Sequence, residues 1–408
     1  MSAQVAVVQP LLAHPLTEPG RLEIPPLAAA VVAMLLVASV ARFWPGRGGR
    51  EAGDRTPADE VHSWSGELSV LQIIGRGVAM VVLILAVVAG RVGSHRELQN
   101  IAPALVLGAG WPLLLAASLL VGPVWRWTDP WDGVARTLGR EQGEAPVRDA
   151  WWAIVPAAIF VWYIGAYGTP YSPRSLAFAL GLYSVVTIGG CFALGRRRWL
   201  SGVEVFGLLF SWAALVRRGL ATRWRPPGGS EVVLGVLAGG LVFGGVARSD
   251  LWGSLRVAPA ATLYATLGVV ALAGGFAGLL WWFQRWGDDA PGSVAAASVP
   301  AVVGVALALA MYADVLFTSI SLLPRLAADP LGLGWDLFDV QLPLIGLCPE
   351  DVVNCAARVG VQAAVILAGA IGGAIILARR VPSSGDRQPG MAALCLIVGG
   401  GIVAITAS

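Results

Sequence analysis

Residues 293–323 read SVAAASVPAVVGVALALAMYADVLFTSISLL, an apolar run with one aspartate, Asp314, well inside it. A helix of about 20 such residues, rising about 1.5 Å each, crosses the hydrocarbon of a bilayer. The run therefore predicts a membrane-spanning helix. An ionisable group at that depth costs several kcal/mol by most estimates, so it calls for a partner or a purpose. Thr318 and Ser321 follow Asp314 at helical spacing and share its face, with Tyr312 close by. The stripe has two readings, a proton- or cation-linked site or a carboxylate held neutral for packing.

Working outward, the whole chain has the composition of a membrane protein. It is 56% hydrophobic and 13% charged, with a mean hydropathy of +0.72, whereas soluble domains carry roughly 25% charged residues. Seventeen tryptophans include Trp44, Trp125, Trp127, Trp151, Trp152, Trp281 and Trp282 at the ends of apolar runs, where an interfacial belt belongs. A net charge of +3 spread over short loops gives no nucleic-acid surface. All 28 basic residues are arginine, a bias that fits a GC-rich genome. Without a lysine amine, no Schiff base to retinal or pyridoxal phosphate can form. The first apolar run lacks a basic segment ahead of it and reads as a retained span rather than a cleaved signal.

The fold class expected is all-α, a polytopic bundle of about ten spans. They fall at 24–43, 69–90, 101–124, 151–167, 175–195, 232–247, 259–283, 294–323, 357–378 and 391–407. The run Val203–Val216 is ambiguous, and the arginines decide it. Arg196, Arg197, Arg198, Arg217, Arg218, Arg223 and Arg225 surround it, so making it a crossing would split that group between two sides. It is therefore expected to lie in the cytoplasmic interface, with both termini outside and 325–356 as an outer loop. Arg76, near the cytoplasmic end of the second span, is expected to snorkel to that face. Gly235/Gly239, Gly240/Gly244, Gly274/Gly278 and Gly369/Gly373 have the spacing that permits close helix approach. Ten spans with both ends on one side also allow two five-helix halves of opposite topology, a transporter habit.

Other constellations are sparse. The histidines, His14, His62 and His95, all lie in expected loops, which argues against intramembrane haem and against a gathered metal site. No GxSxG elbow, HExxH or P-loop occurs. Cys348 and Cys355 bracket a short outer loop and are disulfide candidates, with two free thiols as the alternative, whereas Cys191 and Cys395 lie inside spans. The segment Arg325–Leu347 holds Asp329, Trp335, Asp336, Phe338 and Asp339. It is apolar enough to fold back on the bundle, either as a lid that receives a polar or cationic solute or as a structural cap. At the other end, Arg126, Trp127, Asp129 and Trp131 read as an interface anchor, with Pro130 stopping the helix and Arg126 free to pair with Asp129 or Asp132.

Several strings together carry a family resemblance. They are Gln99–Pro103, Gly122–Trp131, Arg198–Phe206, Ser249–Gly253 and Asp329–Phe338. In these motifs the chain resembles a bacterial family of multi-pass membrane proteins whose members are often called fenitrothion hydrolase-like. The resemblance covers residues 95 to 340 and implies a polytopic membrane protein. The helix before the Asp-Pro loop carries histidines in that family, whereas here it reads Met311-Tyr312-Ala313-Asp314-Val315-Leu316-Phe317.

Three functions follow as expectations. The first is a small-solute permease that binds through Asp314, Thr318, Ser321, Tyr312, Trp335 and Asp336. The second is a non-catalytic subunit or anchor in a larger membrane complex, its partners being the bilayer and other membrane chains. The third, implied by the resemblance, is a membrane hydrolase of organophosphate-like esters. The cofactor is left open, with neither haem nor retinal expected.

Overall fold

A computed structural model describes residues 68–137, 149–218, 228–247, 252, 255, 259–285 and 312–338, the last without 313, 314, 317 and 336. The spans expected at 24–43, 357–378 and 391–407, most of 294–323, Gly369/Gly373, Cys348 and Cys355 lie outside the described residues.

Among the described residues the chain is helical, with no named strand and one isolated bridge between Asp149 and Gly228. Four helices are long and apolar enough to cross a membrane: α1 (Val70–Val92), α2 (Ile101–Leu120), α6 (Pro173–Leu194) and α10, which runs Ala261–Arg285 and is apolar over Ala261–Gly278. Between α2 and α6 lie α3 (Trp125–Thr128), α4 (Pro130–Thr137) and α5 (Ile154–Gly165). After α6 come α7 (Arg196–Gly202), α8 (Val205–Arg218) and α9 (Ser230–Val246), and residues 318–328 form α11 after α10.

Helix α1 begins in a capping box. Ser69 Oγ accepts from the Gln72 amide, and Gln72 Oε1 accepts from the Ser69 amide. The helix buries a thin stripe, Gln72, Arg76, Ala86, Ala89 and Gly90, and leaves Leu71, Ile73, Ile74, Val78, Val81 and Ile84 exposed. An apolar helix with so little covered surface is suited to hydrocarbon rather than water. The turn into α2 is fastened by Asn100, which is fully buried. Its Nδ2 donates to the carbonyls of Ala89 (2.7 Å) and Ser94 (2.9 Å), and its Oδ1 accepts from Ala102 N (3.0 Å), capping α2.

Helix α2 is not uniform. Ala104–Gly110 is a π-helical segment between α-helical turns, and the Trp111 amide donates to the Val106 carbonyl. The cause stands next to it. Pro112 has no N–H, and its ring would collide with the carbonyl four residues back, so widening the preceding turns relieves the clash. Helix α11 runs antiparallel to α2. Ile101 N donates to the Pro330 carbonyl, Ser319 lies against Gly108, and the Tyr312 ring meets Trp111 edge-on at 4.8 Å between centroids.

Helices α9 and α10 form the tightest pair. A Cβ on Gly235 would meet Ala277 backbone, one on Gly239 would meet the Leu272 carbonyl and Ala273 Cα, and Gly240 faces Val161 of α5. This gives the Gly235/Gly239 pattern its role in close approach. The Gly274/Gly278 pair differs, with nothing among the described residues within 4 Å of either.

One expectation is corrected here. Val205–Ala214 of α8 is buried on nearly all sides, with Leu208, Phe210, Trp212 and Ala213 at most 4% exposed. An interfacial helix keeps one wet face. This one packs against α2 and inserts Phe206 and Phe210 among Phe160, Tyr183 and Trp125, which makes it part of the core.

The glycine contacts set up a matched pair of variants. Gly239→Ala should destabilise the detergent-solubilised chain by about 1–3 kcal/mol, the usual range for overpacking, because backbone stands in the way. Gly274→Ala, whose methyl would meet nothing among the described residues, should leave the unfolding midpoint unchanged or raise it. Tryptophan-fluorescence melts of the two proteins measure the contrast.

Candidate functional site

Two glycines build the principal polar site by turning the chain inward. Gly122 (φ 121°) follows α2 and Gly195 (φ 91°) follows α6. Both occupy the left-handed region that other residues adopt only at a cost. After each, the chain returns against the bundle rather than leaving it. Trp131 of α4 meets the Tyr183 ring edge-on and donates from Nε1 to Ser184 Oγ (3.2 Å), in the middle of α6. Trp199 of α7 lies on the bare face of Gly190.

These returns enclose a group of ionisable side chains. Asp132 of α4 is fully buried. Its Oδ2 lies 2.6 Å from Arg76 Nη2 of α1 and 3.2 Å from Arg136 Nε one turn along α4, and its Oδ1 lies 2.5 Å from Arg196 Nη1 of α7. Arg76 Nη2 also donates to the Arg126 carbonyl at 3.2 Å. Arg76 therefore does not snorkel to the surface as expected. It is 4% exposed, because a carboxylate and a carbonyl inside the bundle satisfy the guanidinium better than a surface reached past α3. Its Nε and Nη1 have no partner among the described residues.

Asp129, also fully buried, accepts from the amides of Trp131 (2.9 Å) and Asp132 (3.0 Å) and so caps α4 ahead of Pro130. Of the expected anchor residues Arg126, Trp127, Asp129 and Trp131, Trp127 is exposed, Arg126 is half-buried, and Asp129 and Trp131 are interior. The polar tip of Trp131 has Ser184 to bond to, so it has no need of the interface.

Glu204, between α7 and α8, is a second buried carboxyl. It accepts from the Tyr183 hydroxyl and from the amides of Phe206 (2.9 Å) and Gly207, the last two capping α8. Among the described residues no guanidinium pairs with it. Burial, helped by the negative charge of Asp129, pushes its carboxyl up to about 7.

The site read from the sequence is only partly described, because Asp314 and Asp336 lie outside the described residues. Tyr312 is buried against Trp111, while Thr318 and Ser321 are half-buried and Ser321 Oγ donates to the Thr318 carbonyl at 2.8 Å. The residue of that stretch held deepest among the described ones is Ser319, fully buried against the π segment at Gly108. Its hydroxyl, like Trp111 Nε1, lacks a partner among the described residues. In the loop after α11, Asp329 accepts from the amides of Leu333 (3.0 Å) and Gly334 (2.7 Å). The Leu331 carbonyl accepts from Ser94 N (2.6 Å), which pins the loop to the α1–α2 corner. Further along, the Leu337 amide donates to the Ala328 carbonyl (3.1 Å), while the side chains of Leu333, Trp335, Leu337 and Phe338 are exposed among the described residues. No group of three or more potential metal ligands occurs among the described residues.

The Asp132 cluster gives a stability test. Asp132→Asn leaves Arg76 and Arg196 facing an uncharged amide in a buried site, and should cost about 3–5 kcal/mol. Adding Arg76→Met to that variant removes one stranded cation and should recover some of the loss. Melting midpoints of the two variants and the parent in one detergent measure both effects.

No family model, curated protein or solved structure matches the chain.

Proposed function

We propose that this protein is a small-solute permease of a bacterial cytoplasmic membrane. In this reading it has about ten spans, as the apolar runs suggest, and both termini outside. The solute site uses Asp314, Thr318, Ser321 and Tyr312, with Trp335 and Asp336 at its outer approach. One observation carries the reading: the π segment Ala104–Gly110 of a membrane-length helix lies against α11, which carries Thr318 and Ser321, and against Tyr312 just ahead of it. A break in regular helix geometry is tolerated inside a bilayer where it is enclosed by protein or lines a cavity. Such breaks are characteristic of transporter binding sites and π-bulges of functional sites. The buried, unpartnered Ser319 hydroxyl and Trp111 indole N–H at that crossing supply hydrogen bonds suited to a polar solute.

A second reading, a subunit of a larger membrane complex, draws on the glycines Gly274, Gly275 and Gly278 of α10, where a Cβ would meet nothing among the described residues and a further helix could approach closely.

Reconstitution separates the two readings. The purified chain in proteoliposomes, with a trapped pH-sensitive dye, should report proton-linked uptake of at least one member of a panel of amino acids, sugars and organic cations. Asp314→Asn should lower that uptake at least about tenfold, a loss of roughly 1.4 kcal/mol or more, with the fold intact. Uptake unchanged by Asp314→Asn would overturn the assignment. A chain inert alone that co-purifies with a stoichiometric membrane partner would favour the subunit reading.

A further inference from the structure

The interior holds two kinds of carboxyl, and they are treated oppositely. Asp132 takes Arg76, Arg136 and Arg196. Glu204, at 2% exposure, pairs with no cation among the described residues. A buried carboxylate without a counter-charge is costly, and protonation is the ordinary way to relieve it.

Its surroundings suit both protonation states. The Phe206 and Gly207 amides donate to the carboxyl, and Tyr183 of α6 completes it with a hydroxyl. A hydroxyl can donate to a carboxylate or accept from a carboxylic acid, so that bond survives a change of state. Capping α8 accounts for the amides but not for the tyrosine. Nor does it account for Trp125, a buried residue whose indole N–H lacks a partner among the described residues and lies with Glu204 Oε2 against bare Gly207. The titratable groups that bear on Glu204 are Tyr183 and Cys191 from α6 and Asp129 from the α3–α4 connection.

We infer that Glu204, with Tyr183 as its positioning partner, is a reversible proton-binding site within the helix bundle, and that it is the coupling carboxyl of the transport cycle. The coupling role rests on the permease reading; proton binding does not. The exchange is simple: the carboxylate takes a proton from bulk water as pH falls and returns it as pH rises.

The sign follows from the raised affinity. A proton held more tightly in the folded chain than in the unfolded one lends stability that is complete at acid pH and is lost as pH rises through about 7.

The test uses the full chain in phosphatidylethanolamine/phosphatidylglycerol nanodiscs, with no solute added. Infrared difference spectra between about pH 5 and pH 9, a window spanning the raised value, should show one buried carboxylic carbonyl band. Glu204→Gln should abolish it. Tyr183→Phe should keep the band, shift its frequency and raise its titration midpoint, because removing that donor disfavours the carboxylate. A spectrum in which Glu204→Gln removes no band assigns the titration to another acid and overturns the assignment, as does the absence of any titrating band. If Glu204→Gln does not fold, an unmoved midpoint and frequency in Tyr183→Phe overturn it equally. Proton-linked uptake that persists in Glu204→Gln would leave the proton site standing and remove its coupling role. A titrating band in a chain that transports nothing would remove the permease reading alone.

Discussion

Asp132 is the point on which this end of the bundle depends. One buried carboxylate ties α1 through Arg76, its own helix through Arg136 and α7 through Arg196. Removing charges from water is expensive, so such a cluster is weak support for stability in itself. Its effect is to fix geometry. With Asp132 in place, the segments that return after Gly122 and Gly195 are tied to α1 and to each other, and Trp131, Tyr183 and Glu204 sit beside that tie.

The opposite end is held by neutral groups. Asn100 uses Oδ1 and Nδ2 to close the α1–α2 corner, and backbone amides of Ser94 and Ile101 bind the loop that follows α11. Between the ends, contact depends on small residues. Gly235 and Gly239 let α9 meet α10 at backbone distance, Gly108 admits Ser319, and Gly190 admits the Trp199 ring. Where backbones approach that closely, a single methyl group is enough to push the helices apart.

Legibility follows the kind of signal. Helices α1, α2, α6 and α10 sit where the apolar runs at 69–90, 101–124, 175–195 and 259–283 place helices. The position of Val203–Val216 is misread from sequence because its arginines lie at its ends, while the apolar residues between them face inward on nearly every side. Arg76 is expected at the surface because a lone arginine in a span commonly snorkels, and its partner, Asp132, is distant in sequence. Glu204 leaves a faint trace, an acidic residue just ahead of an apolar helix, which is cap position and nothing more. Tyr183 leaves none, since an aromatic in a span is ordinary.

The sequence by itself determined the solvent of this protein and the extent of its long helices, because hydrophobicity and run length are local sums over neighbouring residues. It also placed the polar stripe of Thr318 and Ser321, since helical spacing is local too. The tertiary structure alone decided which charges are paired and which carboxyl is left without a cation. Pairing depends on segments brought together across the bundle, as Arg76 and Arg196 are brought to Asp132 and Tyr183 to Glu204. No window along the chain contains that information, because the energy of a buried charge is set by what surrounds it in space.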